Sequence, residues 1–213
     1  MNFDELLKIA INAAIKGGHA IMEVYYSDFA VDYKEDQSPL TLADKNCHNI
    51  IEGLLLKTEI PVLSEEGVDI PFSERENWEY FWLVDPLDGT KEFIKRNGEF
   101  TVNIAMIHNG IPIMGVIYVP VKEDLYFAME PFGSFKASMN SEVNNLKDLI
   151  ELSDKLPVNY KRNNYVVVGS RSHMSVETEE FIEKKKKEYV NVEMLAIGSS
   201  LKFCIIAEGR ADA

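Results

Sequence analysis

Tyr80-Phe81-Trp82-Leu83-Val84-Asp85-Pro86-Leu87-Asp88-Gly89-Thr90 passes from an apolar run straight into two carboxylates, a glycine and a threonine. Tyr80 to Val84 reads as a buried strand, because it is short, apolar and closed off by turn residues. Lys91-Glu92-Phe93-Ile94 after it is compatible with a helix. Alone, Asp-Pro-x-Asp-Gly is a turn, since Pro fixes φ and Gly permits positive φ. Between a strand and a helix it gains a second reading. Asp85, Asp88 and the Leu87 carbonyl then point at one oxygen-coordinated cation, and hard Mg2+ favours such ligands while keeping positions for water and phosphate. The amides of Gly89 and Thr90, at the helix start, would bind phosphate oxygens. The Thr90 hydroxyl has an alternative role as a helix cap.

Upstream, Ile60-Pro61-Val62-Leu63 is a second short apolar run, and Ser64-Glu65-Glu66 follows it. Both runs end in acids, so the carboxylates sit beyond the carboxyl ends of strands, where open α/β sheets bind ligands. One of Glu65 and Glu66 becomes a candidate third ligand; the bland alternative is a solvated surface pair. Thr41 to Leu56 is an amphipathic helix with Ala43, Cys47, Ile50, Ile51, Leu54 and Leu55 inward. In it, Thr41-x-x-Asp44 is either a capping box or a functional pair. Asp4 to about Val24 is another helix, started by Asn2 with Glu5. The polar stretch Asp28 to Gln37 reads as loop or edge hairpin.

Downstream the period changes to two. Phe100 to Ile107 and Ile111 to Val119 flank Asn109-Gly110, a strong hairpin signal. Asp124 to Met129 adds a strand, and a polar passage runs from about Asn140 to Asn164. Strand Tyr165 to Val168, helix Val176 to Lys187, strand Met194 to Ile197 and helix Ser199 to Glu208 follow. The expected organisation is an α+β domain over residues 1–145 and an α/β domain over 146–213. Lys184 to Lys187 is a solvated helix end that suits the dipole.

The bulk properties exclude several functions. A net charge of −13 over 213 residues argues against a broad nucleic-acid surface. It also means that an anionic substrate needs local compensation, most simply a bound cation. Cys47 and Cys204 lie in apolar helical patterns and are expected to be reduced core residues. No apolar run approaches the ~20 residues of a membrane span, and the amino terminus lacks a basic leader, so the expected location is cytoplasmic. A P-loop is absent, and Asp85 to Thr90 lacks the alternating acids of an EF-hand loop.

Taken together, Ser38-Pro39-Leu40-Thr41-Leu42-Ala43-Asp44, Leu63-Ser64-Glu65-Glu66, Trp82 through Ile107, Gly169-Ser170-Arg171-Ser172-His173 and Gly198-Ser199-Ser200-Leu201-Lys202-Phe203-Cys204 resemble the magnesium-dependent, lithium-sensitive phosphatases of the inositol monophosphatase superfamily. Asp-Gly-Thr-Lys-Glu-Phe points to the 3'(2'),5'-bisphosphate nucleotidase branch. The resemblance implies a layered αβαβα sandwich of the inositol monophosphatase/fructose-1,6-bisphosphatase type. It implies hydrolysis of the 3'-phosphate of adenosine 3',5'-bisphosphate, in sulfur assimilation and nucleotide recycling, with two or three Mg2+ in the complete site. Glu65, Asp85, Asp88 and the Leu87 carbonyl become metal ligands, with Glu65 also counted in the catalytic set. Asp44 with Thr90 positions and deprotonates the attacking water, and Gly89 with Thr90 holds the scissile phosphate. His173, Ser199 and Lys202 match positions that contact adenosine or the second phosphate; a surface histidine and a simple N-cap are the alternatives for the first two. The superfamily also implies homodimers and allows peripheral association with the inner membrane.

Relatives carry a further strand and a Trp-Asp-x-Ala-Ala-like helix start, whose Asp completes the metal site. The expectation is therefore that this sequence is a piece of a longer protein, holding one ion well and a second poorly. The rival functions are an inositol monophosphatase-like sugar phosphatase and a catalytically impaired nucleotide- or metal-binding homologue.

Overall fold

A computed structural model describes residues 1–27, 39–158, 160–169 and 175–213, with the backbone alone for 39–41. Helix α1 (Phe3–Tyr25) starts where the Asn2 side chain accepts from the Glu5 amide at 3.3 Å, with Asp4 and Glu5 in the first turn. Helix α2 (Pro39–Leu55) begins with proline, whose missing N–H costs nothing at a first helical position. Two adjacent glycines seat α1 between α2 and the sheet. A Cβ on Gly17 would lie 2.7 Å from Cys47 Sγ, and one on Gly18 would lie 2.6 Å from the Tyr118 ring.

Seven strands form one sheet in chain order: β1 (Val62–Ser64), β2 (Tyr80–Asp88), β3 (Thr101–His108), β4 (Ile111–Val119), β5 (Asp124–Met129), β6 (Gly133–Ser138) and β7 (Asp154–Lys155). Only β1 and β2 run parallel. Helix α3 (Phe72–Arg75) lies in the connection between those two; α4 (Thr90–Ile94) follows β2, and α5 (Leu146–Leu152) precedes β7. Asn109 and Gly110 take φ of 48° and 78°, as the tight hairpin between β3 and β4 demands.

The two-residue period sorts side chains onto the faces of the sheet. Met114, Val116, Tyr118, Leu125 and Phe127 join the core under α1 and α2. Val119 and Tyr126 point the other way and join Leu201 and Cys204 of α7 (Leu201–Ala207). A second sheet pairs β8 (Tyr165–Gly169) parallel with β9 (Val192–Ala196), joined in sequence by α6 (Val176–Glu188). The result is a layered mixed α/β fold, as expected.

Glu208, 2% exposed, ends α7. It accepts from Tyr126 Oη, from Lys136 Nζ at 2.8 Å and from an Arg210 guanidinium nitrogen at 3.2 Å. Lys136 also pairs with Asp124 at 3.2 Å, so this network pins the helix end to β5 and β6.

Cys47 and Cys204 are buried and free, as expected. The structure adds β6, α5 and β7, which the polar composition there does not announce. In β6 only Phe135 and Ala137 face inward, and α5 buries only Leu146 and Leu149. The expected loop from Asp28 to Gln37 lies outside the described residues. No helix among the described residues is long and apolar enough to cross a membrane.

Candidate metal centre

The site is built where β1 and β2 end together. Their register pairs Val62 with Trp82 and Ser64 with Val84. The Glu65 amide donates to the Val84 carbonyl at 3.1 Å, extending the pairing by one residue and delivering Glu65 beside Asp85. On the other side of β2, Asp85 faces Asn103 and Asp88 faces Thr101. Three steps on β2 thus match two on β3, so Pro86-Leu87 forms a bulge. On a regular strand, residues three apart point to opposite faces; the extra residue turns both carboxylates to one side. The bulge is held by the Cys47 thiol, which donates to the Pro86 carbonyl at 3.2 Å, and by the Leu87 amide, which donates to Asp85 Oδ1 at 3.2 Å.

Gly89 is the N-cap of α4 at φ 97°, and no side chain caps that helix. Thr90 is therefore its first residue, and its hydroxyl does not serve as the cap. A Cβ on Gly89 would sit 2.9 Å from the Glu99 carbonyl oxygen and 3.1 Å from Ser199 Cβ, so the loop before α7 passes directly over the start of α4.

Electrostatics define the neighbourhood. Burial, then the charges of Glu66, Asp85 and Glu65, raise the Asp44 carboxyl to about 7. Burial, then Asp88 and Glu65, raise Asp85 to about 7, against hydrogen bonds from the Leu87 amide and Asn103. Five carboxylates therefore sense one another. Among the described residues, Lys136, Arg162 and Arg210 pair with acids outside this cluster. Asp44 Oδ1 is buried without a hydrogen-bond partner.

Among the described residues, however, no three Asp, Glu, His or Cys side chains close on a single point. A divalent cation fits this donor set: the candidate donors are all oxygen, the acids raise one another's pKa, and among the described residues a buried carboxylate oxygen of Asp44 lacks a partner.

Asp44, Glu65, Asp85 and Asp88 share one electrostatic neighbourhood, with Leu87 in the bulge and Gly89 and Thr90 at the start of α4. Thr41 is the third residue of α2, so the capping-box alternative for Thr41 and Asp44 does not hold. Ser199, at φ 50°, accepts from the Leu201 amide at 3.3 Å, which makes it a partial cap as well as a neighbour of Gly89. Lys202 Nζ folds back onto the Ser199 carbonyl at 2.6 Å. His173 lies outside the described residues.

Three residues were not singled out by sequence: Cys47 as a hydrogen-bond donor, Asn103 and Ser200. The Ser200 amide donates to Asp88 Oδ2, its hydroxyl donates to Asn103 Oδ1 at 2.8 Å, and Thr101 Oγ1 lies 2.8 Å from that hydroxyl. The available signal was two polar residues, Thr101 and Asn103, inside an otherwise apolar strand. Asp85, Asn103 and Ser200 also border a mainly apolar cavity of about 550 Å³ between the sheet and α7, with Tyr126, Phe203 and Cys204 among its walls.

The chain is similar to known proteins over nearly its whole length. Shigella flexneri "3'(2'),5'-bisphosphate nucleotidase CysQ" is 45% identical over 214 residues, covering 98% of this chain and 78% of that protein. The protein of the same name from Escherichia coli (strain K12) is 44% identical with the same coverage. The crystal structure of CysQ from Bacteroides thetaiotaomicron, described as a bacterial member of the inositol monophosphatase family, superposes with a TM-score of 0.93 at 48% identity, over 99% of this chain and 79% of that one. The model of the inositol monophosphatase family matches residues 2–213, and the chain belongs to that family.

Proposed function

We propose that this chain is a Mg2+-dependent phosphomonoesterase that hydrolyses the 3'-phosphate of adenosine 3',5'-bisphosphate to AMP and phosphate. The observation that carries the reading is the crowded, mutually repelling carboxylate cluster at the carboxyl ends of β1 and β2, next to the start of α4. Relatives named as bisphosphate nucleotidases at 44% and 45% identity support the substrate class.

Glu65, Asp85, Asp88 and the Leu87 carbonyl would hold the ion. When bound, Mg2+ lowers the pKa of coordinated water, steadies the leaving oxygen and neutralises charge on the phosphate. Asp44 and Thr90 orient the attacking water in line with the phosphorus, and Asp44 receives its proton. The Gly89 and Thr90 amides hold the non-bridging phosphate oxygens. Ser199 and Lys202 would contact the nucleoside and its second phosphate, a role that the sequence resemblance also gives to His173; Lys202 would exchange its contact with the Ser199 carbonyl for the anion. The water oxygen forms the new P–O bond as the bond to the ribose 3'-oxygen breaks. That oxygen leaves as the hydroxyl of AMP, taking by way of solvent the proton that Asp44 received from the attacking water.

The test is phosphate release from adenosine 3',5'-bisphosphate and from inositol 1-phosphate, with Mg2+ and with or without Li+. The bisphosphate is expected to be the faster substrate, and Li+ to inhibit. Asp85→Asn should lower kcat about a thousandfold, since a metal ion contributes several kcal/mol to such a transition state. Near-normal turnover in that variant sinks the metal assignment. Faster hydrolysis of the inositol phosphate transfers the chain to the sugar phosphatases, and nucleotide binding without turnover marks an impaired homologue.

A further inference from the structure

We infer that Ser200 is a positioning residue for the cation site, its hydroxyl setting the orientation of the Asn103 amide against Asp85 while its backbone N–H holds Asp88. The inference rests on the reading of Asp85 and Asp88 as metal ligands.

Donor arithmetic carries it. Ser200 Oγ has one proton, and Asn103 Oδ1, 2.8 Å away, can only accept, so that proton is committed to Asn103. Thr101 Oγ1, at 2.8 Å, must then donate its own proton to Ser200. Thr101 is fully buried, so its hydroxyl has to be satisfied inside the protein. With Oδ1 fixed on Ser200, the amide nitrogen of Asn103 is turned to the opposite side. There it meets Asp85, its direct cross-strand partner, and donates to the carboxylate. The chain Thr101 to Ser200 to Asn103 to Asp85 has one consistent direction. Without the Ser200 proton only the Asp85 carboxylate itself holds the amide nitrogen toward it, and a half-turn presents Oδ1 to that carboxylate. That arrangement is repulsive and pushes Asp85 out of its ligating position. Groups that orient metal ligands from behind matter nearly as much as the ligands themselves.

The same residue reaches the second ligand. Its amide donates to Asp88, 112 positions earlier in the chain. The seat of Ser200 is fixed from both sides: the Gly198 amide donates to Glu99 at 2.9 Å, and Leu201 and Cys204 are buried against Val119, Tyr126 and Leu156. The loop before α7 thus holds two ligands at once.

Titration of the metal-free protein with Mn2+ tests this, free ion being counted by its electron paramagnetic resonance signal. Ser200→Ala keeps the amide and loses only the hydroxyl, and should weaken Mn2+ binding about tenfold. Cys204→Ala, buried one turn further along α7, loosens helix packing without touching the chain of hydrogen bonds and should leave the affinity unchanged. Both variants should lower the thermal midpoint, so stability alone does not separate them. If Ser200→Ala binds within about twofold of the parent, or if Cys204→Ala loses as much affinity, the positioning role is refuted. If the parent itself fails to bind Mn2+, the metal assignment falls first, and the inference with it.

Discussion

Removal of divalent cation turns the carboxylate cluster into a measurable stability defect. Asp44 and Asp85 are each raised from 3.8 to about 7. The folded chain therefore binds their protons more tightly than the unfolded chain does. The associated stability is present in full below the unfolded pKa and is lost as pH rises through the folded one. A rise from 3.8 to about 7 is roughly 3 units, or about 4 kcal/mol for either group taken at face value. Both groups are partly open to water and share Glu65 as a source of repulsion, so screening and coupling reduce the pair together to about 2–3 kcal/mol. In a chain of this size that is about 5–10 °C in thermal midpoint.

Calorimetry in chelator should therefore show the midpoint falling by about two-thirds of that, about 3–7 °C, between pH 5 and pH 8, the rest of the loss lying below pH 5. Glu208 does not mask the trend. Burial pushes its carboxyl up, but hydrogen bonds from Lys136 and Tyr126 prevail and hold it below 4.5. Its contribution is present above the unfolded pKa and is lost only as pH falls through the lowered folded value, outside the window. A parallel series in saturating Mg2+ subtracts every group remote from the cluster, and its curve should be flatter. Asp85→Asn in chelator should be more stable than the parent at pH 8, because it removes one of the repelling charges. A metal-free midpoint that stays level or climbs from pH 5 to pH 8 refutes the crowded-carboxylate argument.

Glu208→Ala leaves Tyr126 without its partner and Lys136 with Asp124 alone; urea unfolding should show a loss of about 3 kcal/mol, the low end for breaking a buried pair, and an unchanged midpoint would contradict the network. Gly89→Ala forces a side chain into φ 97° and to within 2.9 Å of the Glu99 carbonyl oxygen; it should cost about 1–3 kcal/mol of stability and raise KM for the phosphate ester, and unaltered kinetics would show that this turn does not face the substrate.

Much of the fold is legible because each element obeys its own period. α1 carries Leu7, Ala10, Ile11, Ala14, Ile15 and Ile21 on one buried face, and its cap is written in Asn2 and Glu5. Asn109-Gly110 announces its hairpin, and Asp124 to Met129 is the strand expected from its sequence. β6, α5 and β7 were missed for one physical reason. Each is short and exposes one side, so few of its residues carry the apolar periodicity that betrays an element; β7 exists only because Phe135 and Lys136 offer it an edge to pair with.

The candidate ligand side chains are legible for a different reason. Hard cations need oxygen donors, and few sequences put two acids directly after each of two adjacent apolar runs. The means of their convergence is not legible. Asp85 and Asp88 face the same way only because β2 carries one residue more than β3 across the bulge, a mismatch that belongs to the pairing of two strands and to neither alone. Asn103 in an apolar strand and Ser200 before a short helix each look bland in their own windows, one as a polar interruption and the other as a turn residue. They acquire meaning only once β3 sets Asn103 opposite Asp85 and α7 sets Ser200 over Asn103. Chemistry that depends on residue type is therefore visible locally, whereas the groups that orient those residues are visible only when distant segments are brought together.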